Sequence, residues 1–261
     1  MALGALAAVV LLMKFLQAQM LFPTDAVPAA GPLPPGAERL EIEASGGVRL
    51  HGVYFPPANP GENPLVLGFG GNAWNGQHVG MELHRLFPDA HVVAFHYRGY
   101  RPSTGSPSSD ALIADAPLVY DAAIERTKAT RAVAVGFSIG SGVAAHLAGQ
   151  RELDGLILVT PFDSLKAAAS DLFPWLPVGP FFEHEMNAAS ALKGNQVPVA
   201  MIAAERDDII RPVRTASLRR QVPNLVFDRT IGGAGHNDIY GRAEFDEAMR
   251  EAYSLIVTNK K

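Results

Sequence analysis

Short runs of consecutive apolar residues alternate along this chain with segments of helical periodicity, and this alternation constrains the fold more than any other feature. The apolar runs occur at 64–69, 90–97, 131–137, 155–160 and 197–204. Such runs are typical of strands that are buried on both faces of a parallel sheet. Helical patterns lie at about 77–87, 110–127, 139–150, 212–220 and 241–257. The order predicts an α/β fold with a mostly parallel, doubly wound sheet.

The sheet is predicted to begin with an antiparallel hairpin. The segments LEIEAS (40–45) and VRLHGVYF (48–55) alternate apolar and polar residues around a Gly-Gly pair, which is the pattern of two paired strands. A hairpin start and the number of buried strands argue against an eightfold barrel. Residues 38–261 are therefore predicted to form one domain, in which Asp110 is a candidate N-cap of its helix.

The chain begins with an apolar stretch, residues 1–22, whose polar members are Lys14, Gln17 and Gln19. A helix that spans a bilayer needs about 20 predominantly apolar residues, so we predict a membrane anchor and a membrane-associated protein. Two other interpretations fit: a cleaved or lipid-surface segment, and a helix that packs on its own domain or on a partner. The alternative location is soluble, in the cytoplasm or the periplasm. Residues 23–37, with five prolines and two glycines, are predicted to form a stiff linker.

Composition excludes several classes of function. The chain is 48% hydrophobic and 18% charged, with a net charge of −4, so there is no basic excess that would indicate a nucleic-acid partner. It contains no cysteine, which excludes disulfides, thiolate nucleophiles and metal sites built on cysteine. A nucleophile must therefore come from serine, threonine, lysine or a carboxylate.

One serine lies where a predicted buried strand passes into a helix rich in small residues. The sequence Gly136-Phe137-Ser138-Ile139-Gly140 matches G-x-S-x-G, the pattern of a strained turn that presents a nucleophilic serine at the end of a strand. The glycines on either side leave room for the turn. The helix that follows directs its first amides, with their partial positive charge, towards a developing oxyanion. Ser138 is the predicted nucleophile.

A serine nucleophile needs a base, and the base needs an acid to orient it. In this kind of fold the acid and then the histidine follow the serine, each after a later strand. Of the two adjacent aspartates in the turn after the run 197–204, Asp207 comes first and Asp208 is the reserve candidate. A further strand-like run, NLVFDRT (224–230), is followed by the glycine-rich loop GGAGHNDI. Of eight histidines, His236 is the one in this loop, before the last predicted helix. Asp207 and His236 are the predicted acid and base.

A glycine-rich loop after the run 64–69 is predicted to supply one of two backbone donors to an oxyanion hole, and the residue after Ser138 supplies the other. This loop, GFGGNAWN, allows the backbone to approach a substrate closely. We assign the backbone N–H groups of Asn72 and Ile139 to the oxyanion hole.

The stretch 161–195 is too long for a simple crossover helix and is predicted to form a small cap over the nucleophile. Its large apolar residues either line an acyl pocket or pack the cap onto the core; they are Phe173, Trp175, Leu176, Phe181 and Phe182. A cap of this size favours esters with short to medium acyl chains.

Together these motifs resemble the α/β-hydrolase superfamily, in its serine esterase and lipase branch, from about residue 38 to the C-terminus. The motifs FHYRGYRPSTGSPS, GFSIGS, VTPFDSL, DDIIRP and GGAGHND are similar to those of small membrane-tethered hydrolases, which include protein depalmitoylases and monoacylglycerol-lipase-like enzymes. The resemblance implies an α/β-hydrolase fold with Ser138 as nucleophile, Asp207 as acid and His236 as base. The chain departs from the family at Gly70, where relatives commonly have histidine, and at Arg211, where proline often follows the acid.

The predicted function is hydrolysis of carboxylic esters through an acyl-enzyme intermediate, with a small-molecule ester or lipid as substrate and no metal or organic cofactor. The alternative is a membrane-associated thioesterase or monoacylglycerol lipase. A peptidase and a non-catalytic scaffold are weaker hypotheses, because the chain lacks a charged-pocket signature and retains all three members of the triad. The oligomeric state is left open.

Overall fold

The computed structural model describes residues 17–174 and 182–258. Within them, eight strands form one sheet in the order β1-β2-β4-β3-β5-β6-β7-β8. The strands are β1 (Glu38–Ala44), β2 (Val48–Phe55), β3 (Leu65–Phe69), β4 (His91–Phe95), β5 (Ala132–Phe137), β6 (Gly155–Val159), β7 (Val199–Ala204) and β8 (Leu225–Ile231). The pairs β1–β2 and β2–β4 are antiparallel, and the remaining pairs are parallel. The predicted α/β fold with an antiparallel start is confirmed.

Helices connect the strands and cover both faces of the sheet. They are α1 (Gly76–Leu86), α2 (Ser109–Thr127), α3 (Ile139–Leu147), α4 (Leu165–Leu172), α5 (Ala188–Ala191), α6 (Pro212–Arg219) and α7 (Ala243–Thr258). Every residue of β3, β5, β6 and β7 is buried. Successive side chains of such a strand point to opposite faces. One set packs with α2 and α3, and the other with α1 and α7.

The prediction that Asp110 caps α2 is wrong. The N-cap is Ser108, whose side chain accepts a hydrogen bond from the backbone N–H of Ala111. Ser108 has an extended backbone conformation, as an N-cap requires, whereas Asp110 lies in the first turn of the helix. There its carboxylate still interacts favourably with the positive end of the helix dipole.

The segment that precedes the hairpin packs on the domain. Residues 1–16 of the predicted anchor lie outside the described residues, and 17–21 are helical. Phe22 is 2% exposed and belongs to the core. The predicted linker 23–37 is tied to α1, because the side chains of Asn75 and Gln77 donate hydrogen bonds to the carbonyl oxygens of Pro28 and Pro32. Within the described residues, no helix has the length and apolar character needed to cross a membrane.

The connection between β6 and β7 contains α4 and α5 and corresponds to the predicted cap, 161–195. Residues 175–181 of this stretch lie outside the described part of the chain. Helix α4 begins at an N-cap, Ser164, whose hydroxyl accepts from the N–H of Ala167 and also donates to the Glu185 carboxylate. The two described arms of the cap are therefore joined at the start of α4.

Candidate active site

The turn between β5 and α3 holds Ser138 in a strained backbone conformation. Its φ of 52° and ψ of −117° lie in a region that residues with a side chain rarely adopt. The backbone N–H of Ser138 donates to the Val159 carbonyl at 2.9 Å, which fixes the turn to β6. The side chain makes no capping hydrogen bond to the helix that it precedes. The hydroxyl is therefore directed away from its own backbone.

The two glycines of the motif leave space that no other residue could. A Cβ atom added to Gly136 would lie 2.3 Å from the Gly140 carbonyl oxygen, and one added to Gly140 would lie 2.2 Å from the Phe69 carbonyl oxygen. Both distances are far shorter than a van der Waals contact. The glycines thus allow β3, the turn and α3 to approach one another around Ser138, as the sequence motif predicts.

Ser138, His236 and Asp207 form a chain of hydrogen bonds. The Nε2 atom of His236 lies 3.0 Å from the Ser138 hydroxyl oxygen. The Nδ1 atom lies 2.9 Å and 2.8 Å from the two carboxylate oxygens of Asp207. Asp207 and His236 are both 6% exposed, so this geometry is held away from bulk water. The three predicted residues are brought together by loops after three different strands.

The loop that carries Asp207 fixes its carboxylate. One of its oxygens also accepts hydrogen bonds from the backbone N–H groups of Ile209 and Ile210, at 3.0 Å and 2.7 Å. These bonds hold the carboxylate in the orientation that faces His236. Asp208 is exposed, and the hydrogen bond to His236 comes from Asp207. The geometry favours Asp207 over the reserve candidate.

The predicted oxyanion residues, Asn72 and Ile139, line the same pocket as Ser138. Ile139 is the first residue of α3, and the first amides of a helix have no partner within it. Two tyrosines that were not predicted from sequence donate hydrogen bonds to the loop that carries Asn72. Tyr97 donates its hydroxyl proton to the Gly70 carbonyl at 2.8 Å, and Tyr100 donates to the Asn72 carbonyl at 2.6 Å.

These tyrosines lie in the FHYRGY motif, which was compared above with motifs of small membrane-tethered hydrolases but was given no role. Tyr100 is fully buried, and burial raises the pKa of both phenols. The hydroxyls therefore remain protonated donors at neutral pH. Their ring centroids lie 5.6 Å apart in an edge-to-face arrangement. The pair fastens the loop that carries Asn72.

A small apolar pocket of about 110 Å³ opens beside Ser138. Its walls come from the N-terminal segment, the loop after β3, the turn that carries Ser138, the connection from β6 through helix α4, and the loop after Asp207. The residues besides those named above are Met20, Leu21, Phe162, Leu165, Ala168, Ala169, Leu172, Phe173, Ile209 and Ile210. Among the predicted cap residues, Phe173 lines this pocket, while Phe182 packs against the core. Trp175, Leu176 and Phe181 lie outside the described residues.

The titratable side chains beside Ser138 are those of His236 and Asp207. Within residues 17–174 and 182–258, no group of three or more histidine, aspartate, glutamate or cysteine side chains is placed to hold a metal ion. One histidine and one carboxylate form the hydrogen bond next to Ser138. This set suits a neutral imidazole that accepts a proton from the Ser138 hydroxyl.

This sheet order, with a serine in a strained turn after β5 and an acid and a histidine after β7 and β8, defines the alpha/beta hydrolase fold. The sequence model of that family, described as the alpha/beta hydrolase fold, matches residues 63–179. An uncharacterized protein of Mycobacterium tuberculosis is 31% identical over 237 residues, which cover 85% of this chain and 84% of that protein. The chain belongs to the alpha/beta hydrolase superfamily and is a hydrolase.

The matches to two other relatives cover a smaller share of the relative's length. The protein bem46 of Schizosaccharomyces pombe is 30% identical over 67% of this chain and 62% of its own. The rat lysophosphatidylserine lipase ABHD12 is 28% identical over 60% of this chain and 45% of its own.

Among solved structures, an esterase of Pyrococcus furiosus has a TM-score of 0.71 at 18% identity, over 88% of this chain and 97% of that one. An alpha-beta hydrolase of Vibrio vulnificus has a TM-score of 0.73 at 18% identity, over 95% and 93%. Both similarities are similarities of fold.

Proposed function

We propose that this protein is a serine hydrolase that cleaves carboxylic esters with short to medium acyl chains. One observation carries the proposal: His236 stands within hydrogen-bond distance of both the Ser138 hydroxyl, at 3.0 Å, and the Asp207 carboxylate, at 2.8 Å. This is the geometry that turns a serine hydroxyl into a nucleophile. The serine, acid and base come from separate loops that the fold brings to one edge of the sheet.

In the proposed reaction, His236 accepts the Ser138 proton through Nε2 while the serine oxygen attacks the ester carbonyl. Asp207 holds the imidazole so that Nδ1 carries a proton, and it stabilises the imidazolium that forms. The backbone N–H groups of Asn72 and Ile139 bind the negative oxygen of the tetrahedral intermediate. His236 then protonates the leaving alcohol. Water hydrolyses the acyl-enzyme with His236 again as the base.

The pocket supports an acyl group as the part of the substrate that is recognised. Its lining is mostly aliphatic, with Phe162 and Phe173 as its aromatic members. Its volume of about 110 Å³ is somewhat smaller than a cavity of about 150 Å³ that holds benzene. A short acyl chain fits inside, and a longer one must extend past the rim. The substrate partner is therefore a small-molecule ester or a lipid.

The second candidate is a membrane-associated thioesterase or monoacylglycerol lipase, with residues 1–22 as the anchor. The name of the rat relative, a lysophosphatidylserine lipase, favours a substrate with one acyl chain. An apolar pocket beside the nucleophile suits the same kind of substrate. A peptidase is less favoured, since the described pocket lining contains no charged side chain. A non-catalytic scaffold is less favoured because the hydrogen-bond chain is complete.

A panel of p-nitrophenyl esters from acetate to decanoate tests the proposal, with a matched acyl thioester and a monoacylglycerol as competing substrates. We expect turnover of the esters by the full-length protein and loss of turnover in Ser138→Ala. The control is Ser254→Ala, an exposed serine on α7, which should retain full activity. Absence of turnover on every substrate, or equal turnover by Ser138→Ala, would contradict the proposal. A strong preference for the thioester or the monoacylglycerol would favour the second candidate.

A further inference from the structure

Two residues of the N-terminal segment line the pocket that opens beside Ser138. Met20 and Leu21 contribute to the same apolar lining as Leu172 and Phe173 at the end of α4. From sequence, residues 1–22 fit a membrane anchor, a cleaved or lipid-surface segment, or a helix that packs on its own domain or on a partner, and the predicted acyl-pocket residues all lie in the cap. The structure adds a wall to the pocket from a part of the chain outside the cap.

The segment is fixed in this position by contacts on either side of Met20. Phe22 is 2% exposed and packs edge-to-face against the ring of His184, with the centroids 5.4 Å apart. The Gln17 side-chain oxygen accepts a hydrogen bond from the backbone N–H of Glu183 at 3.3 Å. The chain that holds Met20 is thereby attached to the arm of the cap that returns to β7. Residues 17–22 and the returning arm of the cap are therefore in direct contact.

Met20 lies where the pocket meets solvent. Its residue surface is 44% exposed, and that of Ile209, another pocket residue, is 36% exposed. Both are large apolar side chains that are only partly buried. The inner lining, by contrast, includes Phe162, which is fully buried. Met20 and Ile209 therefore lie at the solvent side of the pocket, where an acyl chain that extends out of the inner pocket can contact them.

We infer that Met20 is a specificity-determining residue of the acyl site and that the described part of the N-terminal segment, residues 17–22, favours esters with a medium-length acyl chain. The inference rests on the proposed function, because it assigns a role in binding the acyl group that Ser138 would attack. Short acyl chains end inside the pocket and do not reach Met20. Medium chains bury apolar surface against it, and this burial favours their binding in proportion to the area removed from water.

The test compares Met20→Ser with Met81→Ser in the full-length protein, purified in one detergent at one concentration. Met81 is a matched control, because it is 43% exposed and lies on α1, outside the pocket lining. The ratio of kcat/KM for p-nitrophenyl octanoate to that for the acetate is measured for each. The rate of labelling by a short fluorophosphonate is measured in parallel to show that the nucleophile is intact.

We expect Met20→Ser to lower the octanoate-to-acetate ratio of kcat/KM about tenfold, while labelling by the short fluorophosphonate shows that Ser138 still reacts. Met81→Ser should leave the ratio unchanged. An equal ratio in the two variants would overturn the inference and leave the proposed function standing, since ester hydrolysis would still be present. If the unchanged protein neither hydrolyses the esters nor reacts with the probe, the proposed function fails and the inference fails with it.

Discussion

At the scale of single residues, the site depends on which of two adjacent aspartates faces His236. Asp207 is 6% exposed and lies 2.8 Å from Nδ1, while Asp208 is exposed on the same loop. We expect Asp207→Asn to lower kcat for an ester by about 10⁴, because the amide favours the wrong imidazole tautomer. Asp208→Asn, one residue away, is the control and should retain kcat. The converse result in steady-state kinetics would show that the acid is misassigned.

The two tyrosines behind the oxyanion loop lead to a second prediction. Tyr100→Phe removes the hydroxyl that donates to the Asn72 carbonyl at 2.6 Å and leaves that carbonyl without this donor. We expect kcat to fall about tenfold with little change in KM, less than the loss of about 10²–10³ seen when an oxyanion donor itself is removed. Tyr100 is a positioning residue in this account.

Tyr120→Phe is the matched control for that prediction, because the Tyr120 hydroxyl also donates to a backbone carbonyl, that of Glu152, at 2.9 Å. That carbonyl lies on the connection from α3 to β6, outside the pocket that contains Ser138. Equal kcat values for Tyr100→Phe and Tyr120→Phe would show that the hydroxyl of Tyr100 does not position the loop. Thermal denaturation of both variants separates a loss of folding from a loss of positioning.

Sequence could predict the residues of the candidate site whose identity is dictated by chemistry. Ser138, Asp207 and His236 follow from a motif and an order along the chain, and the structure brings them within hydrogen-bond distance, while their catalytic roles stay a prediction. Tyr97 and Tyr100 could not be found in this way. Their partners are backbone carbonyls 27 and 28 residues away, and no side-chain pattern marks such a partner.

At the scale of elements, the close approach of β3 and α3 leads us to expect a change in stability opposite to the one that helix propensity predicts. Replacing glycine by alanine inside a helix ordinarily stabilises it by about 1 kcal/mol. Gly140→Ala should instead lower the free energy of unfolding by about 2 kcal/mol or more, since the added Cβ would lie 2.2 Å from the Phe69 carbonyl oxygen. The strain would also move the turn that carries Ser138.

The control for this prediction is Gly149→Ala, just beyond the end of α3, where the nearest atom to an added Cβ is 3.5 Å away. Its free energy of unfolding should stay within about 0.5 kcal/mol of the unchanged protein. Urea denaturation of both variants measures the difference. A Gly140→Ala protein as stable as Gly149→Ala would show that the close approach at the turn is not rigid.

The central strands end within a few residues of the predicted apolar runs, because strands buried on both faces need continuous apolar residues. Helices α4 and α5 were not predicted as helices, since the sequence indicated only a cap over 161–195. The error at the start of α2 has a local cause. Serine and aspartate are both good N-caps, and the sequence does not show that Ser108, rather than Asp110, has the extended backbone that a cap requires. The choice depends on where the preceding loop turns.

At the scale of the whole molecule, a buried histidine ties stability to pH. Burial, helped by the positive charges of His51, Arg39 and His78, lowers the pKa of His96 from 6.5 to about 4. The unfolded chain therefore takes up a proton as the pH falls through 6.5, whereas the folded chain does not until about 4. Stability from this group is present above pH 6.5 and is lost as the pH falls towards 4, by at most about 3 kcal/mol.

We expect His96→Asn to reduce this dependence on pH. The Asn oxygen can replace Nδ1 of His96, which accepts a hydrogen bond from the Gly76 N–H at 3.2 Å, and it does not titrate. Burial also lowers the pKa values of His84, His91 and His184, but these groups are common to both proteins and cancel. Urea denaturation at pH 7 and pH 4.5 gives, for each protein, the change in the free energy of unfolding between the two pH values. Equal differences in the two proteins would exclude His96 as the source.

The arrangement of the whole sheet was only partly predictable. Sequence gave the fold class and the antiparallel start, but not the placement of β4 between β2 and β3, which depends on long-range pairing. The packing of the N-terminal segment was also beyond reach. An apolar stretch can be buried by lipid, by a partner or by its own domain, and composition does not distinguish among them. The burial of Phe22 and the pocket contact of Met20 emerge only from the folded chain.

The central claim is that Ser138 is the nucleophile, and mass mapping of a fluorophosphonate adduct tests it most directly. The full-length protein is reacted with the probe, digested and analysed by peptide mass spectrometry. We expect a single adduct on the peptide that contains Ser138 and no adduct in Ser138→Ala. An adduct on another residue, or one that forms at the same rate in Ser138→Ala, would contradict it.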